Sequence, residues 1–143
     1  MSQVSFYTGV PERLAYLCRL LRKAQQSGAR IGVVGPTPLL DRLDRELWAF
    51  ASTEFVPHVR VRPGRVLAPR LAATPIVMAE EATDVPHREV LLNIGPEIPE
   101  GFEAFERVLE VVSLDAEQVQ RGRQRFRQYQ SQGHPVAHHV IAA

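Results

Sequence analysis

Short, nearly continuous apolar runs recur along this chain, and they restrict its fold more than any other feature of the sequence. Four such runs occupy residues 30–34, 75–79, 90–94 and 108–112. Runs of this kind are typical of strands that are buried on both faces of a parallel sheet. Residues 4–8 alternate apolar and polar side chains and predict a further strand. We therefore expect a sheet whose strands are mainly parallel.

Helical segments follow the first two strands and end the chain. Apolar residues recur at helical spacing between residues 14 and 24 and again between residues 39 and 50. Thr37 and Pro38 suit the N-cap and the first position of the second of these helices. A last helix is predicted from residue 115 to about residue 132. Strand–helix alternation with short turns predicts an α/β fold of three layers, with helices on both faces of the sheet.

The remaining segments are predicted mainly as loops. A brief third strand is expected at residues 55–56, and a short helix at residues 102–107. The Arg- and Pro-rich residues 60–74 and the polar residues 80–89 indicate exposed loops. Because no linker or repeat divides the chain, residues 1–143 are expected to form one domain.

Charge and cysteine content narrow the functional classes. The chain has 17 basic and 16 acidic residues and a net charge of +1, so any contact with an acidic partner or with nucleic acid must use a local patch. Cys18 lies within an apolar helical pattern, which indicates a buried thiol in a reducing compartment. We find neither a signal peptide nor an apolar run of about 20 residues. We expect a cytoplasmic protein with no membrane contact.

No residue pattern indicates a catalytic, cofactor or metal site. The run Gly32-Val33-Val34-Gly35-Pro36 lies where phosphate loops occur, but it matches neither the dinucleotide-binding pattern nor the P-loop pattern. Pro36 also lacks the backbone N–H that a phosphate would need. His138 and His139 are adjacent, so they point in different directions, and no cysteine or carboxylate cluster supports them. We expect no cofactor and no metal.

Large aromatic side chains cluster around the end of the second predicted helix. Trp48 and Phe50 lie in its last turn, and Phe55 precedes Pro57-His58. Side chains of this size belong either to the core or to an anchor for a partner. The residues alone leave both interpretations open.

The last helix interleaves arginines with aromatic residues. Arg123 and Arg127 lie one turn apart on one side, with Phe126 between them. Arg121 and Arg125 lie together on nearly the opposite side. Guanidinium groups around a ring suit a partner that has carboxylates and an apolar tip. Alternatively, the aromatic residues are core and the arginines are solvated. A nucleic-acid patch would normally require more charge over a wider surface.

Two motifs, taken together, resemble the chi subunit family of bacterial DNA polymerase III. The first is Leu47-Trp48 followed by Phe55-Val56-Pro57-His58. The second is the helical run Arg123-Gln124-Arg125-Phe126-Arg127-Gln128-Tyr129, preceded by a strand that ends in Val111-Val112. The resemblance extends over essentially the whole chain. It departs most at residues 59–74, which are usually acidic and Gly-rich in the family but contain four arginines here.

The resemblance implies an accessory subunit that is not itself catalytic. The implied fold is similar to mononucleotide-binding domains but has no phosphate loop. One implied surface binds the acidic C-terminal tail of single-stranded DNA-binding protein and thereby ties the replicase to coated DNA. By resemblance, this surface comprises Val112, Arg123, Phe126 and Arg127.

The second implied surface carries Trp48 and Phe55. By resemblance, it binds the psi subunit and, through it, the clamp loader. In some members a helicase-like repair protein shares this surface. DNA would then be contacted mostly indirectly. Two other classes stay open from the residues, namely a Rossmann-like nucleotide-dependent enzyme and a domain that binds single-stranded nucleic acid directly.

Overall fold

A computed structural model of the chain describes residues 2–50, 56–63, 65 and 67–141. The strands are β1 (Gln3–Val10), β2 (Ile31–Val34), β3 (His58–Val61), β4 (Ile76–Ala79), β5 (Val90–Asn93), β6 (Arg107–Ser113) and β7 (Val136–Val140). The α-helices are α1 (Arg13–Gln26), α2 (Thr37–Phe50), α3 (Pro69–Ala72) and α4 (Ala116–Ser131). Short 3-10 turns occupy Ala82–Asp84 and Phe102–Ala104.

The strands form one seven-stranded sheet in the order β3-β4-β2-β5-β6-β1-β7. Every neighbouring pair among the described strands runs parallel, which confirms the predicted sheet type. Strands β2, β4 and β5 are buried at every position, as their continuous apolar runs indicate. Because the strands are parallel, their carboxyl ends all lie at the same end of the sheet, together with the loops that follow them.

Helices cover both faces of the sheet, which confirms the predicted three-layer α/β fold. Helices α1 and α2 bury Leu17, Leu21 and Leu43 against one face. Helix α4 covers the other face, where Tyr129 packs with Phe102. The connections through α1 and α2 run toward the β3 edge of the sheet, whereas the connection through α4 runs toward the β7 edge. Because the crossovers are right-handed, α1 and α2 lie on one face and α4 lies on the other.

The third strand lies later than the sequence predicted. Residues 51–55 are outside the described part of the chain, so the structure does not test the strand assignment at residue 55. Val56 is buried but precedes the strand, and pairing with β4 begins at His58 opposite Ile76. The reason is that Pro57 has no N–H to donate to the sheet. The segment predicted as a loop at 60–74 therefore contains the end of β3 and the short helix α3.

Strand β7 was not predicted at all. It pairs with β1 from Val4 opposite Val136 to Thr8 opposite Val140, and forms the edge of the sheet. Its side chains are mostly exposed, so the apolar pattern that reveals the inner strands is missing. The helix expected at 102–107 was also too long. It is a 3-10 turn that ends at Ala104, because β6 begins at residue 107.

None of the helices in the described part of the chain has the length and apolar character that crossing a bilayer demands. Cys18 is buried against α2, as predicted, and burial raises the pKa of its thiol to about 11.

Candidate partner-binding groove

A groove of about 350 Å³ lies between α4 and the carboxyl ends of β1 and β6. We call it the α4 groove. It is lined by Phe6, Thr8, Gly9, Val112, Val119, Gly122, Arg123, Phe126, Arg127 and His138. All four residues that the resemblance implied for a tail-binding surface, from Val112 to Arg127, therefore lie in one concave feature. Their roles in binding stay predictions.

The aromatic floor of the α4 groove is fixed by the core beneath it. Phe126 is half-buried, and its ring meets the ring of Phe6 edge-on at a centroid distance of 5.2 Å. Tyr129, one turn further along α4, is fully buried. The interpretation of these aromatic residues as core is thus correct for Tyr129, whereas Phe126 packs against the core and also faces the groove.

Helix α4 approaches β6 unusually closely at Gly122. A Cβ atom at this position would lie 2.9 Å from Cγ2 of Val112, which is closer than real side chains come. The glycine therefore allows the helix to settle onto the strand. As a result Val112 is only 3% exposed, and it contributes to the floor of the groove mainly by supporting it.

The rim of the α4 groove is positively charged. Arg123 and Arg127 are exposed, and neither makes a side-chain hydrogen bond or an ion pair with a residue in the described ranges. Arg121 lies on the other side of the helix, where its Nε is 3.4 Å from a carboxylate oxygen of Glu117. The division of arginines between two sides of the helix, predicted from their spacing, is confirmed. Two guanidinium groups are left to bind an anion.

Arg125 contradicts the alternative interpretation that the arginines of α4 are all solvated. It is 7% exposed, and its Nε donates to Glu110 at 3.0 Å. The Glu110 carboxylate also accepts from the Tyr129 hydroxyl at 2.8 Å and from the Asn93 amide at 2.9 Å. Burial raises the pKa of Glu110, and the guanidinium opposes that shift. Sequence reasoning missed this network, because one charged residue in an apolar strand does not reveal its partner.

His138 is a further residue that the sequence did not place in the groove. Its Nε2 lies 2.6 Å from the hydroxyl oxygen of Thr8, and its ring is 6.1 Å from that of Phe126. It reaches the groove because β7 pairs with β1, and that pairing was not predicted. No local signal could have found it.

The second implied surface is only partly within the described residues. Trp48 is 61% exposed at the end of α2, and its ring lies 5.0 Å from that of His58. His58 begins β3, and its Nε2 lies 2.9 Å from a carboxylate oxygen of Asp44. Phe55 lies outside the described residues, so its proximity to Trp48 stays a prediction. An exposed Trp beside an edge strand is a suitable anchor for a partner.

The glycines within and just after β2 serve packing. A Cβ at Gly32 would lie 2.6 Å from Val85, and a Cβ at Gly35 would lie 2.7 Å from Ile94. These close contacts explain the glycines without a phosphate ligand. Within residues 2–50, 56–63, 65 and 67–141, no three potential metal ligands come together.

Comparisons with known proteins agree with the two motifs. The family model described as DNA polymerase III chi subunit, HolC, matches residues 1–137. A curated DNA polymerase III subunit chi of Pseudomonas aeruginosa is 31% identical over 147 residues. The aligned stretch covers 99% of this chain and 98% of that relative. Both similarities include α2 and α4.

Proposed function

This chain belongs to the DNA polymerase III chi subunit family, and from that premise we propose that it links the replicase to the acidic C-terminal tail of single-stranded DNA-binding protein. As a chi subunit it is an accessory part of the polymerase in DNA replication. The link would hold the replicase on single strands that the binding protein covers. The observation that carries the proposal is the α4 groove, which combines an accessible ring with two arginines that have no carboxylate partner among the described residues.

The chemistry of the α4 groove suits an acidic peptide with an apolar end. The ring of Phe126 can take the apolar tip, above the floor that Val112 supports. Arg123 and Arg127 can donate to carboxylates, including the terminal one, through their planar guanidinium groups. A hydrogen bond to a charged group contributes roughly 1.5–3 kcal/mol. Each arginine should therefore account for about a tenfold change in affinity or more.

The proposal is tested by calorimetric titration with a synthetic acidic peptide that ends in an apolar residue. We expect Arg123→Ala and Arg127→Ala each to weaken binding about tenfold or more. Arg121→Ala is the matched control, because it removes the same charge from the opposite side of α4. Equal losses in the control and in Arg123→Ala would show that net charge, and not the groove, binds the peptide.

The salt dependence of peptide binding distinguishes the contribution of the arginines from that of the apolar contact. Exposed charges are screened beyond about 10 Å at 0.1 M salt, whereas apolar contact with Phe126 is insensitive to screening. Peptide binding should weaken with salt but persist, and Phe126→Ala should remove the part that persists. A wild-type chain that ignores the peptide at low salt would refute the tail-binding role.

We also propose that Trp48 and Phe55 form the surface for a psi-type subunit that connects chi to the clamp loader. The support is the exposure of Trp48 next to the edge strand β3. Trp48→Ala and Phe55→Ala should reduce co-purification with the clamp loader while leaving the melting temperature nearly unchanged. If both variants unfold, the side chains belong to the core and this surface assignment fails.

A further inference from the structure

The segment between Glu54 and Glu80 has an unusual charge balance. It contains four arginines and no acidic residue, at Arg60, Arg62, Arg65 and Arg70. The rest of the chain then has 13 basic and 16 acidic residues, a net charge of −3. The near-neutral total therefore hides one basic segment on an otherwise slightly acidic protein. A polyanion would be drawn to this segment and repelled elsewhere.

Among the described residues, Arg62, Arg65 and Arg70 have no carboxylate within ion-pair distance, and Asp41 offsets the charge of Arg62 only at longer range. Arg60 donates to a carboxylate oxygen of Asp41, so this acidic neighbour is already engaged. Arg62, Arg65 and Arg70 are exposed. Across the described part of the chain, none of the three makes a side-chain hydrogen bond or an ion pair.

A backbone hydrogen bond brings two of these arginines together. The backbone N–H of Arg65 donates to the carbonyl of Arg62 at 3.1 Å, so the two side chains start from neighbouring points of the backbone. Both side chains are exposed. Two guanidinium groups that start this close can both reach one anion, whose charge offsets their mutual repulsion.

Three of the four arginines, Arg60, Arg62 and Arg65, line a shallow groove of about 230 Å³ beside β3. We call it the β3 groove. Its lining comprises Arg60, Val61, Arg62, Arg65, Leu67, Ala68 and Leu71. It lies at the opposite edge of the sheet from β7, and therefore far from the α4 groove.

From this arrangement we propose that the β3 groove binds the phosphate backbone of a single-stranded nucleic acid. Guanidinium groups match phosphate oxygens. Arg62 and Arg65 line the groove, and Arg70 adds a third exposed charge in α3, next to Leu71 of the lining. No Phe, Tyr or Trp occurs between residues 56 and 79, so the segment itself offers no ring for stacking on bases. The contact is therefore independent of sequence. It does not rest on the tail-binding role of the α4 groove.

An acidic protein segment is the other polyanion that such a surface could attract. Protein partners usually need a large apolar or aromatic anchor. Trp48 lies outside the lining of the β3 groove, beside His58 at the start of β3. Within this lining, the exposed large apolar side chain among the described residues is Leu71, at 36%. This is a weak anchor beside three unpaired charges. The balance favours nucleic acid, which the subunit of a DNA polymerase meets during replication.

The proposal is tested by fluorescence anisotropy with a labelled oligothymidylate and the full chain. We expect a dissociation constant in the range of roughly 10⁻⁴–10⁻⁶ M at physiological salt, typical of binding without sequence preference. For three phosphate contacts on a single strand, the logarithm of the affinity should fall with the logarithm of salt with a slope of about −2. Oligothymidylate and oligocytidylate should bind alike.

Two triple variants with equal charge distinguish the β3 groove from net charge. Arg62→Ala with Arg65→Ala and Arg70→Ala should lower the affinity about tenfold or more at low salt and bring the salt slope close to zero. The control removes three exposed charges elsewhere, at Arg19, Lys23 and Arg107. It should retain most of the affinity. Melting temperatures of both variants should match the wild type, because all six side chains are exposed.

Four outcomes would overturn the proposal. The first is no measurable binding of the wild type at low salt. The second is an equal loss in both triple variants, and the third is a loss confined to Arg123→Ala with Arg127→Ala, which would assign the DNA to the α4 groove. The fourth is equally tight binding of polyglutamate at matched charge, which would identify an acidic protein as the ligand. Failure of peptide binding at the α4 groove would leave the proposal intact.

Discussion

Glu110 is a buried carboxylate that three donors surround, and it ties α4 to the centre of the sheet. Arg125 and Tyr129 reach it from the helix, and Asn93 reaches it from β5. Arg125 also donates to the carbonyl of Pro96 at 2.8 Å. A buried ion pair is weak evidence for extra stability, but removing one partner leaves an uncompensated charge. The network therefore fixes the orientation of the helix that carries the α4 groove.

Replacement of Glu110 tests this role at the scale of one residue. Glu110→Gln keeps the shape but leaves the buried Arg125 without its counter-charge, which should lower the free energy of unfolding by about 3–5 kcal/mol. Urea denaturation measures the change. Glu117→Gln breaks the exposed pair with Arg121 and should cost about 0.5 kcal/mol or less. A small effect at Glu110 would mean that water reaches Arg125.

His87 makes the stability of the fold depend on pH. It is 6% exposed beside Phe105, and burial lowers the pKa of its imidazole below the usual 6.5, with a further contribution from the Arg30 guanidinium. Below pH 6.5 the unfolded chain therefore binds more protons than the folded one. Stability is present in full above that value and is lost as pH falls toward the folded-state pKa.

Urea midpoints measured between about pH 7.5 and pH 5 should reveal this loss. His87→Leu cannot titrate and should flatten the pH dependence. His139→Gln changes an exposed histidine and should keep it. An unchanged slope in His87→Leu would assign the pH dependence to other groups.

Helix α4 and strand β7 show what local sequence can and cannot predict at the scale of elements. The spacing of Arg123, Phe126 and Arg127 along a helix follows from the chain itself, so three of the predicted site residues converge on one groove. Strand β7 is defined by pairing with β1 more than 120 residues earlier, and its exposed side chains give no local signal. His138 was missed for that reason. The inner strands were predicted because burial on both faces forces them to be apolar.

Gly122 tests the packing of α4 as a whole. By propensity, Gly122→Ala should stabilise a helix by about 1 kcal/mol. Here the new Cβ would meet Val112, a stiff β-branched side chain on an inner strand, and overpacking costs about 1–3 kcal/mol. We expect a net loss of stability, seen in the melting temperature.

The same substitution should weaken peptide binding at the α4 groove, because the helix must move away from β6. Gln124→Ala, at an exposed position of the same helix, should affect neither quantity. A stabilised Gly122→Ala chain would show that α4 shifts without cost.

At the scale of the whole molecule, the sheet separates the two proposed anion sites. The α4 groove lies beside β1 and near β7, whereas the β3 groove lies at the other edge. Five strand spacings of about 4.8 Å give roughly 24 Å between β3 and β1. This arrangement would allow one small subunit to hold a protein tail and a stretch of bare strand at once. Neither site requires the other to be filled.

We predict that the α4 groove and the β3 groove bind their ligands independently at physiological salt and influence each other at low salt. At about 0.15 M salt the screening length is about 8 Å, so an acidic peptide that saturates the α4 groove should change the affinity for oligothymidylate by less than about twofold. At about 0.01 M salt the screening length of about 30 Å exceeds the separation of the two grooves. The bound peptide should then weaken DNA binding, and DNA should weaken peptide binding by the same factor, because linkage is reciprocal. Anisotropy with and without peptide measures both regimes. Competition that persists at physiological salt would mean that the two ligands share one surface.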